Sequence, residues 1–346
     1  VALVVGGLVA AGDPVARARS AWHSFKGGYG NSSGSSRLVS GLGSNRYDFY
    51  RVALDEFLAH PLLGIGADNY QQQYLRHGRS TETPRYPHSV ELRTLSQTGI
   101  VGAALAIAGL AAALLAAFAA MRAQDPLGAA VAAAALAGFA YWAVHGSVDW
   151  FWEFAGLGAP AFAMLGLACA LAPPRAAGAR RAAPSMRVRR IGVAAAVLAG
   201  AAMAAALVLP WLSRLQVQEA SRVWTASRTS AYSRLDQAAG LDPLSGEPYD
   251  VAGSIALRYG ELERADRQFQ LALQRTPGDA YALLERGAIA SARGRAGQAR
   301  LLLARARALA PREALIGDAL AVVRSGRRIS IPALNRAILL KARQLA

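Results

Sequence analysis

One cysteine, Cys169, stands in 346 residues. That excludes an intrachain disulfide and argues against a thiolate metal cluster, and its place inside an apolar run gives it a packing role. Lysine is nearly as scarce: Lys26 and Lys341 are the only two among 38 basic residues. No glycine run is followed by Lys-Ser or Lys-Thr, so a phosphate-cradling P-loop is absent. Acid is outnumbered, leaving a formal charge of +16, which raises the question of nucleic acid because arginines neutralise phosphates. The excess is arginine in an alanine-rich chain, sitting beside apolar segments and on repeat helices, where a solvated face explains it. Nucleic acid is not expected as a partner.

What the chain does have is apolar residues gathered into blocks, with a mean hydropathy of +0.22. A hydrocarbon core of roughly 30 Å needs about 20 apolar residues. The stretches 98–121, 127–144, 154–172 and 191–212 reach or approach that length. Residues 1–11 are too short, lack a basic leader and do not begin with Met, so they read as the end of a span in an N-terminally truncated chain. The loop 173–190 carries Arg175, Arg180, Arg181, Arg187, Arg189 and Arg190 without an acid. The positive-inside rule makes it cytoplasmic. Counting from there, 12–97, the 145–153 turn and everything after Ser213 are extracytoplasmic. His23, His60, His77, His88 and His145 fall on that side, as do Trp142, Trp150, Trp152 and Trp211, in the manner of an interfacial aromatic belt.

After Ser213 the composition turns to charged and small residues, and Pro243, Pro277 and Pro311 recur at intervals of 34. That is the tetratricopeptide period. In register with it lie Ala231, Ala265 and Ala299, then Ala238, Ala272 and Ala306, with Leu235, Phe269 and Leu303 in the bulky slot. Gly260 and Gly294 supply turns, while Gly253 and Gly287 let paired helices approach. The first repeat has a degenerate leading helix, 216–227, continuous with the last span, and Pro332 opens a capping segment. This third of the chain resembles the tetratricopeptide family. Its repeats either stiffen the outer part of the protein or offer a groove to a partner protein or glycan.

The expected fold is therefore all-α: polytopic membrane helices plus a tetratricopeptide-like α-solenoid. Its parts are a span remnant (1–11), an extracytoplasmic loop (12–97), four transmembrane helices (98–212) and the repeat domain (213–346). In the loop, Tyr47, Tyr50, Leu54, Phe57 and Leu58 fall at helical spacing, forming an apolar face suited to a membrane surface. Pro61 stops this helix and Gly64 and Gly66 make a turn. The glycine- and serine-rich 27–43 reads as a flexible stretch.

Arg46, the turn from His60 to Gly66, and His88-Ser89 followed by Gly99 and Gly102 resemble the O-antigen ligase and polymerase family. The resemblance runs over about 44–171 and takes in the His145 to Asp149 segment, a feature of members with C-terminal tetratricopeptide repeats. It implies a cytoplasmic-membrane, cofactor- and metal-independent glycosyltransferase. Such an enzyme moves a glycan from a polyprenyl diphosphate to a glycan or lipid acceptor hydroxyl on the extracytoplasmic side. The family usually has Asn where Ser89 stands, which touches a secondary contact.

The chemistry asks for groups this loop contains. Arginine offers a permanently charged fork to a diphosphate leaving group, for which Arg46, Arg51 and Arg85 are candidates. His88 is the candidate general base, with Glu91 one turn on to orient it. His145 and Asp149, four residues apart, are secondary candidates for a pair on one helical face. Each also has an ordinary reading, as a solvated or headgroup-bound arginine or a helix-entry histidine. The competing class is a non-catalytic membrane scaffold recruiting partners through its repeats, which has no reason to gather these side chains. Ligase and polymerase differ in acceptor, a choice these residues do not make.

Overall fold

The computed structural model describes residues 14–27, 45–80, 82–123, 125–173 and 186–345. The span remnant 1–11, the stretch 28–43 and Arg175, Arg180 and Arg181 lie outside them. All regular structure among the described residues is helical. The chain divides into two compact units, 1–178 and 179–346.

The first unit holds α1 (Pro14–Gly27), α2 (Arg46–Ala59), α3 (Tyr70–His77), α4 (Val90–Met121) and α5 (Pro126–Val148), then a 3-10 turn (Trp150–Glu153) and α6 (Ala155–Ala170). α4 and α5 are long and apolar enough to cross a membrane. α6, at 16 residues, rises only about 24 Å, short of the roughly 30 Å of a hydrocarbon core. The four expected spans thus become three helices of sufficient length, counting α7 below, and one shorter apolar helix. Small residues set the packing of α4, α5 and α6: Ala117, Ala120, Ala132, Ala135, Ala161 and Ala168 are buried around Phe139, Trp142 and Leu165. Alanines let helices approach closely where lipid gives no hydrophobic drive. Cys169 donates to the carbonyl of Ala113 at 3.2 Å within this packing. Asp125 caps α5, accepting from Leu127 N and Gly128 N at 3.1 and 3.0 Å, with Pro126 in the first turn, where no donor is needed.

α4 starts eight residues ahead of the apolar stretch and is broken at Gly99, whose φ of 64° and ψ of −165° leave the helical region. The break strips the hydrogen-bond ladder between residues 96–97 and 100–101, and the 60–66 turn replaces what is lost. Ile65 N and Gly66 N donate to the carbonyls of Ser96 and Gln97 at 2.9 and 3.0 Å. In exchange, Ile100 N and Val101 N donate to the carbonyls of Pro61 and Leu62 at 2.8 and 3.2 Å. The glycines are there for proximity as well as conformation: a Cβ on Gly64 would stand 2.4 Å from the Gln97 carbonyl carbon, and one on Gly99 2.3 Å from the Leu62 oxygen.

α2 buries the face opposite to the apolar one. Asp48, Phe49, Val52, Ala53 and Glu56 are inside, with Tyr70 and Tyr74 packed on them, while Leu54 and Leu58 are exposed. The two carboxylates are affordable because each is answered. Asp48 accepts from the Tyr74 hydroxyl (2.7 Å), Arg79 N (2.6 Å), Ser80 N (3.2 Å) and Arg51 (2.8 Å). Burial pushes its carboxyl up, but these donors outweigh burial and hold it below the usual value. Glu56 pairs with His77 Nδ1 at 2.9 Å.

The second unit opens with α7 (Met186–Val223), apolar enough over Arg189–Val223 to cross a membrane, and continuous past the expected end of the span at 212. Helices α8 (Arg228–Leu241), α9 (Glu247–Arg258), α10 (Leu262–Arg275), α11 (Ala280–Ala292), α12 (Ala296–Leu309), α13 (Ala314–Arg324) and α14 (Ile331–Leu345) follow through short loops. Residues 34 apart in this unit are buried alike. Ala231, Leu235 and Ala238, then Ala265, Phe269 and Ala272, then Ala299, Leu303 and Ala306 are all buried at equivalent places. A Cβ on Gly253 would meet the Phe269 ring at 2.8 Å, and one on Gly287 would meet Leu303 at 2.7 Å. Pro243, Pro277 and Pro311 each follow the residue that ends a helix.

Two acids in this unit, Asp250 on α9 and Glu285 on α11, are buried with incomplete compensation. Both carboxylate oxygens of Glu285 and Oδ1 of Asp250 are buried without a hydrogen-bond partner. Burial pushes Glu285 up to about 7 against the pull of Tyr281 and Arg258. Burial and the neighbouring Asp279 push Asp250 up to about 9. A folded-state pKa above the unfolded one means that the folded form keeps a proton the unfolded chain has released, so raising the pH removes stability. Thermal unfolding of the full-length protein should therefore fall from pH 5 upward, with the Glu285 share of the loss complete near pH 7. Glu285→Gln should flatten the slope below that point and leave the Asp250 portion.

Candidate functional site

The site forms where α2, the entry to α4 and the exit of α5 meet. Arg46, the first residue of α2, places Nη2 2.9 Å from Oδ1 of Asp149, the residue that ends α5 with its N–H on the His145 carbonyl. One turn along α2, the Tyr50 hydroxyl lies between the carbonyls of His88 (3.4 Å) and Val148 (3.3 Å), tying the loop before α4 to the end of α5. Ser89 caps α4, accepting from Leu92 N at 3.4 Å and donating to Glu91 Oε2 at 2.9 Å. The other oxygen of Glu91 accepts from Ser147 on α5 at 2.5 Å.

His88 sits between the buried Pro87 and that cap, in the left-handed region at φ 57°. A non-glycine residue there costs about 1 kcal/mol or more and persists only where its surroundings fix it. The Phe49 ring, 5.4 Å away, and the Tyr50 hydroxyl do so. Burial lowers the His88 pKa and the Arg46 charge lowers it further, with Asp149 and Glu82 acting the other way. The imidazole is neutral at neutral pH and able to accept a proton. Burial likewise raises Tyr50, keeping its hydroxyl protonated as a donor.

Of the residues singled out from the sequence, Arg46, His88, Glu91 and Asp149 converge. Glu91 is fastened by two serines instead of reaching the imidazole, so it braces α4 against α5. Arg51 is engaged by Asp48 and Asp55 at 2.8 and 3.0 Å and by the His77 carbonyl at 2.7 Å, a structural clamp on the buried Asp48. Arg85 pairs with Asp68 at 3.2 Å. His145 stacks on Phe151 at 4.4 Å, and the Asp149 carboxylate pairs with Arg46.

Three participants carried no motif. Tyr50 read as one position of an apolar stripe. Arg93 lies 3.6 Å over the Tyr86 ring, whose hydroxyl donates to Asp68 at 2.7 Å. Glu153 keeps Oε1 buried without a hydrogen-bond partner; burial and Asp149 push its carboxyl up while Arg93 and Arg85 pull it down. An acid among the aromatics of the 150–153 turn was the available signal.

The class these features define is a protein whose described residues are helical, with three helices among them long and apolar enough to cross a membrane and a charged, part-buried site gathered at the entry of one of them. Residues 1–107 match the family model described as O-antigen ligase. The match holds Arg46, Arg51, Arg85, His88 and Glu91 and ends within α4; Asp149 and the whole second unit lie beyond it. No curated protein matches the chain.

Proposed function

We propose that this protein transfers a glycan from a polyprenyl diphosphate carrier to an acceptor hydroxyl on the extracytoplasmic face of the cytoplasmic membrane, in O-antigen-type ligation or polymerisation. The convergence of Arg46, His88 and Asp149 on one small junction carries the reading, and the family likeness over residues 1–107 supports it. The acceptor oxygen gives its proton to the neutral His88 as it bonds to the anomeric carbon, and the carrier diphosphate leaves with the electron pair of the broken C–O bond. Arg46 faces the charge growing on that diphosphate, with Asp149 fixing its fork. Arg85, with Arg93, serves the outer end of the carrier.

The C-terminal helix pairs, on this reading, form a tetratricopeptide-like solenoid on the same side, offered to an acceptor or a partner protein. A topology reporter fused after Gly260 should then lie opposite one fused after Arg181; both on one side would overturn the orientation.

The direct test is transfer by the full-length protein from polyprenyl diphosphate-linked oligosaccharide at matched membrane levels. Arg46→Ala should lower the rate by about 10²-fold or more, the scale of one lost transition-state charge partner. Arg51→Ala should lower the amount of folded protein but leave the rate per folded molecule near wild type. Equal rates for Arg46→Ala and wild type would remove the assignment, and no transfer by folded wild type would favour the scaffold.

A further inference from the structure

The outer face of α2 and the turn after it form an apolar edge that the other described residues of the first unit leave open. Leu54, Leu58, Leu62 and Leu63 are 45%, 65%, 67% and 72% exposed. Residues 57–67 contain no Asp, Glu, Lys or Arg. α1 covers only the start of this face, through Phe25 against Tyr47 and Tyr50 at 5.7 and 6.3 Å. The edge is joined by main-chain hydrogen bonds to residues 96–101 of α4, where Ile100, Val101 and Leu105 begin the exposed side of the apolar helix.

We infer that the 58–65 turn is seated in the membrane, its leucines contacting lipid acyl chains at the level where α4 enters the bilayer. Exposed leucines alone do not make this case; the main-chain bonds that hold the turn at residues 96–101, where the apolar stretch of α4 begins, do. Irregular backbone at membrane depth needs its polar groups satisfied by protein, and the turn meets that demand in part. Here Pro61 has no N–H to lose, the carbonyls of Pro61 and Leu62 accept from Ile100 and Val101, and Ile65 and Gly66 donate to Ser96 and Gln97. Gly64 N closes on the His60 carbonyl at 2.9 Å, and the Ile65 carbonyl accepts from Asn69 Nδ2 at 2.8 Å. A turn serving only as a water-exposed connection needs neither this pairing nor the outward Leu58, Leu62 and Leu63. The charged pair Arg51 and Asp55, seven and three residues before Leu58, marks the headgroup level. Seating the turn fixes the height of α2, and therefore of Arg46, against the membrane surface.

The inference rests on α4 crossing the membrane, not on the transfer chemistry. The test uses the full-length protein with Cys169→Ser, which keeps a hydroxyl for Ala113, reconstituted in phosphatidylethanolamine–phosphatidylglycerol vesicles. Single cysteines at Leu62, Leu63, Leu105 and Thr83 carry a nitroxide, read by collision with oxygen and with a water-soluble nickel chelate. At Leu62, Leu63 and Leu105, oxygen should outrun the chelate several-fold, and at Thr83 the order should reverse. Leu63 behaving as Thr83 while Leu105 stays lipid-exposed would overturn the seated turn alone, as would shielding of Leu62 and Leu63 from both probes. A water-exposed Leu105 would overturn it together with the membrane reading of α4.

Discussion

His88→Ala should lower glycan transfer by about 10²- to 10⁴-fold, the usual worth of a positioned general base, with folded protein recovered at near wild-type levels. The pH profile separates this role from a structural one. A base works in its neutral form, and burial and Arg46 hold His88 below its ordinary value of about 6.5. The wild-type rate should therefore stay level through neutral pH and fall only in more acid solution. Removing the Asp149 charge with Asp149→Asn strips a group that raises the His88 pKa, so the acid limb should move to lower pH. Removing the Arg46 charge with Arg46→Gln should move the limb of the residual activity to higher pH. Opposite displacements by the two partners of one ion pair are not a general consequence of damage to the fold. A limb indifferent to both would end the assignment. His88→Asn adds a second control, since asparagine accepts the left-handed backbone more readily than alanine. It should be as slow as His88→Ala while disturbing the loop less.

How much of this was legible beforehand depended on distance along the chain. The apolar runs and the 34-residue register stood out because helix periodicity and repeat spacing are local signals, and the buried Ala265, Phe269 and Ala272 set matches them directly. The orientation of α2 did not stand out. Its apolar stripe pointed to a membrane surface and said nothing of the other side, which buries Asp48 and Glu56 because their partners Tyr74, Arg79 and His77 come from 21 or more residues downstream. Arg51, a diphosphate candidate in the sequence, donates to that same Asp48 and to the carbonyl of His77, 26 residues downstream. The pairing of Arg46 with Asp149 spans α4 and α5 and has no sequence signature, nor does the stacking of His145 on Phe151. Motifs could nominate residues one at a time; only the fold could say which of them meet.

Gly99→Ala should destabilise the first unit by about 2–4 kcal/mol, combining left-handed strain with a forced contact. The backbone at φ 64° and ψ −165° is a conformation essentially reserved for glycine, and the added methyl would meet the Leu62 carbonyl. Relief comes only by moving the turn, which gives up four exchanged main-chain hydrogen bonds at once. Gly64→Ala attacks the same joint from the other side, so the double variant should be little worse than either single one, as expected for residues acting through one contact. Gly109→Ala is the control: it lies in the same helix with open space around its Cβ position, and alanine there should be neutral or gain up to about 1 kcal/mol from helix propensity. Thermal unfolding of the full-length protein in detergent reads all four variants. The turn and the helix break also hold α2 against the α4 entry, so Gly99→Ala should slow transfer even at temperatures where the protein remains folded. If Gly99→Ala and Gly109→Ala unfold alike, the break at Gly99 is not a constraint of the fold, and the joint that seats Arg46 beside His88 must lie elsewhere.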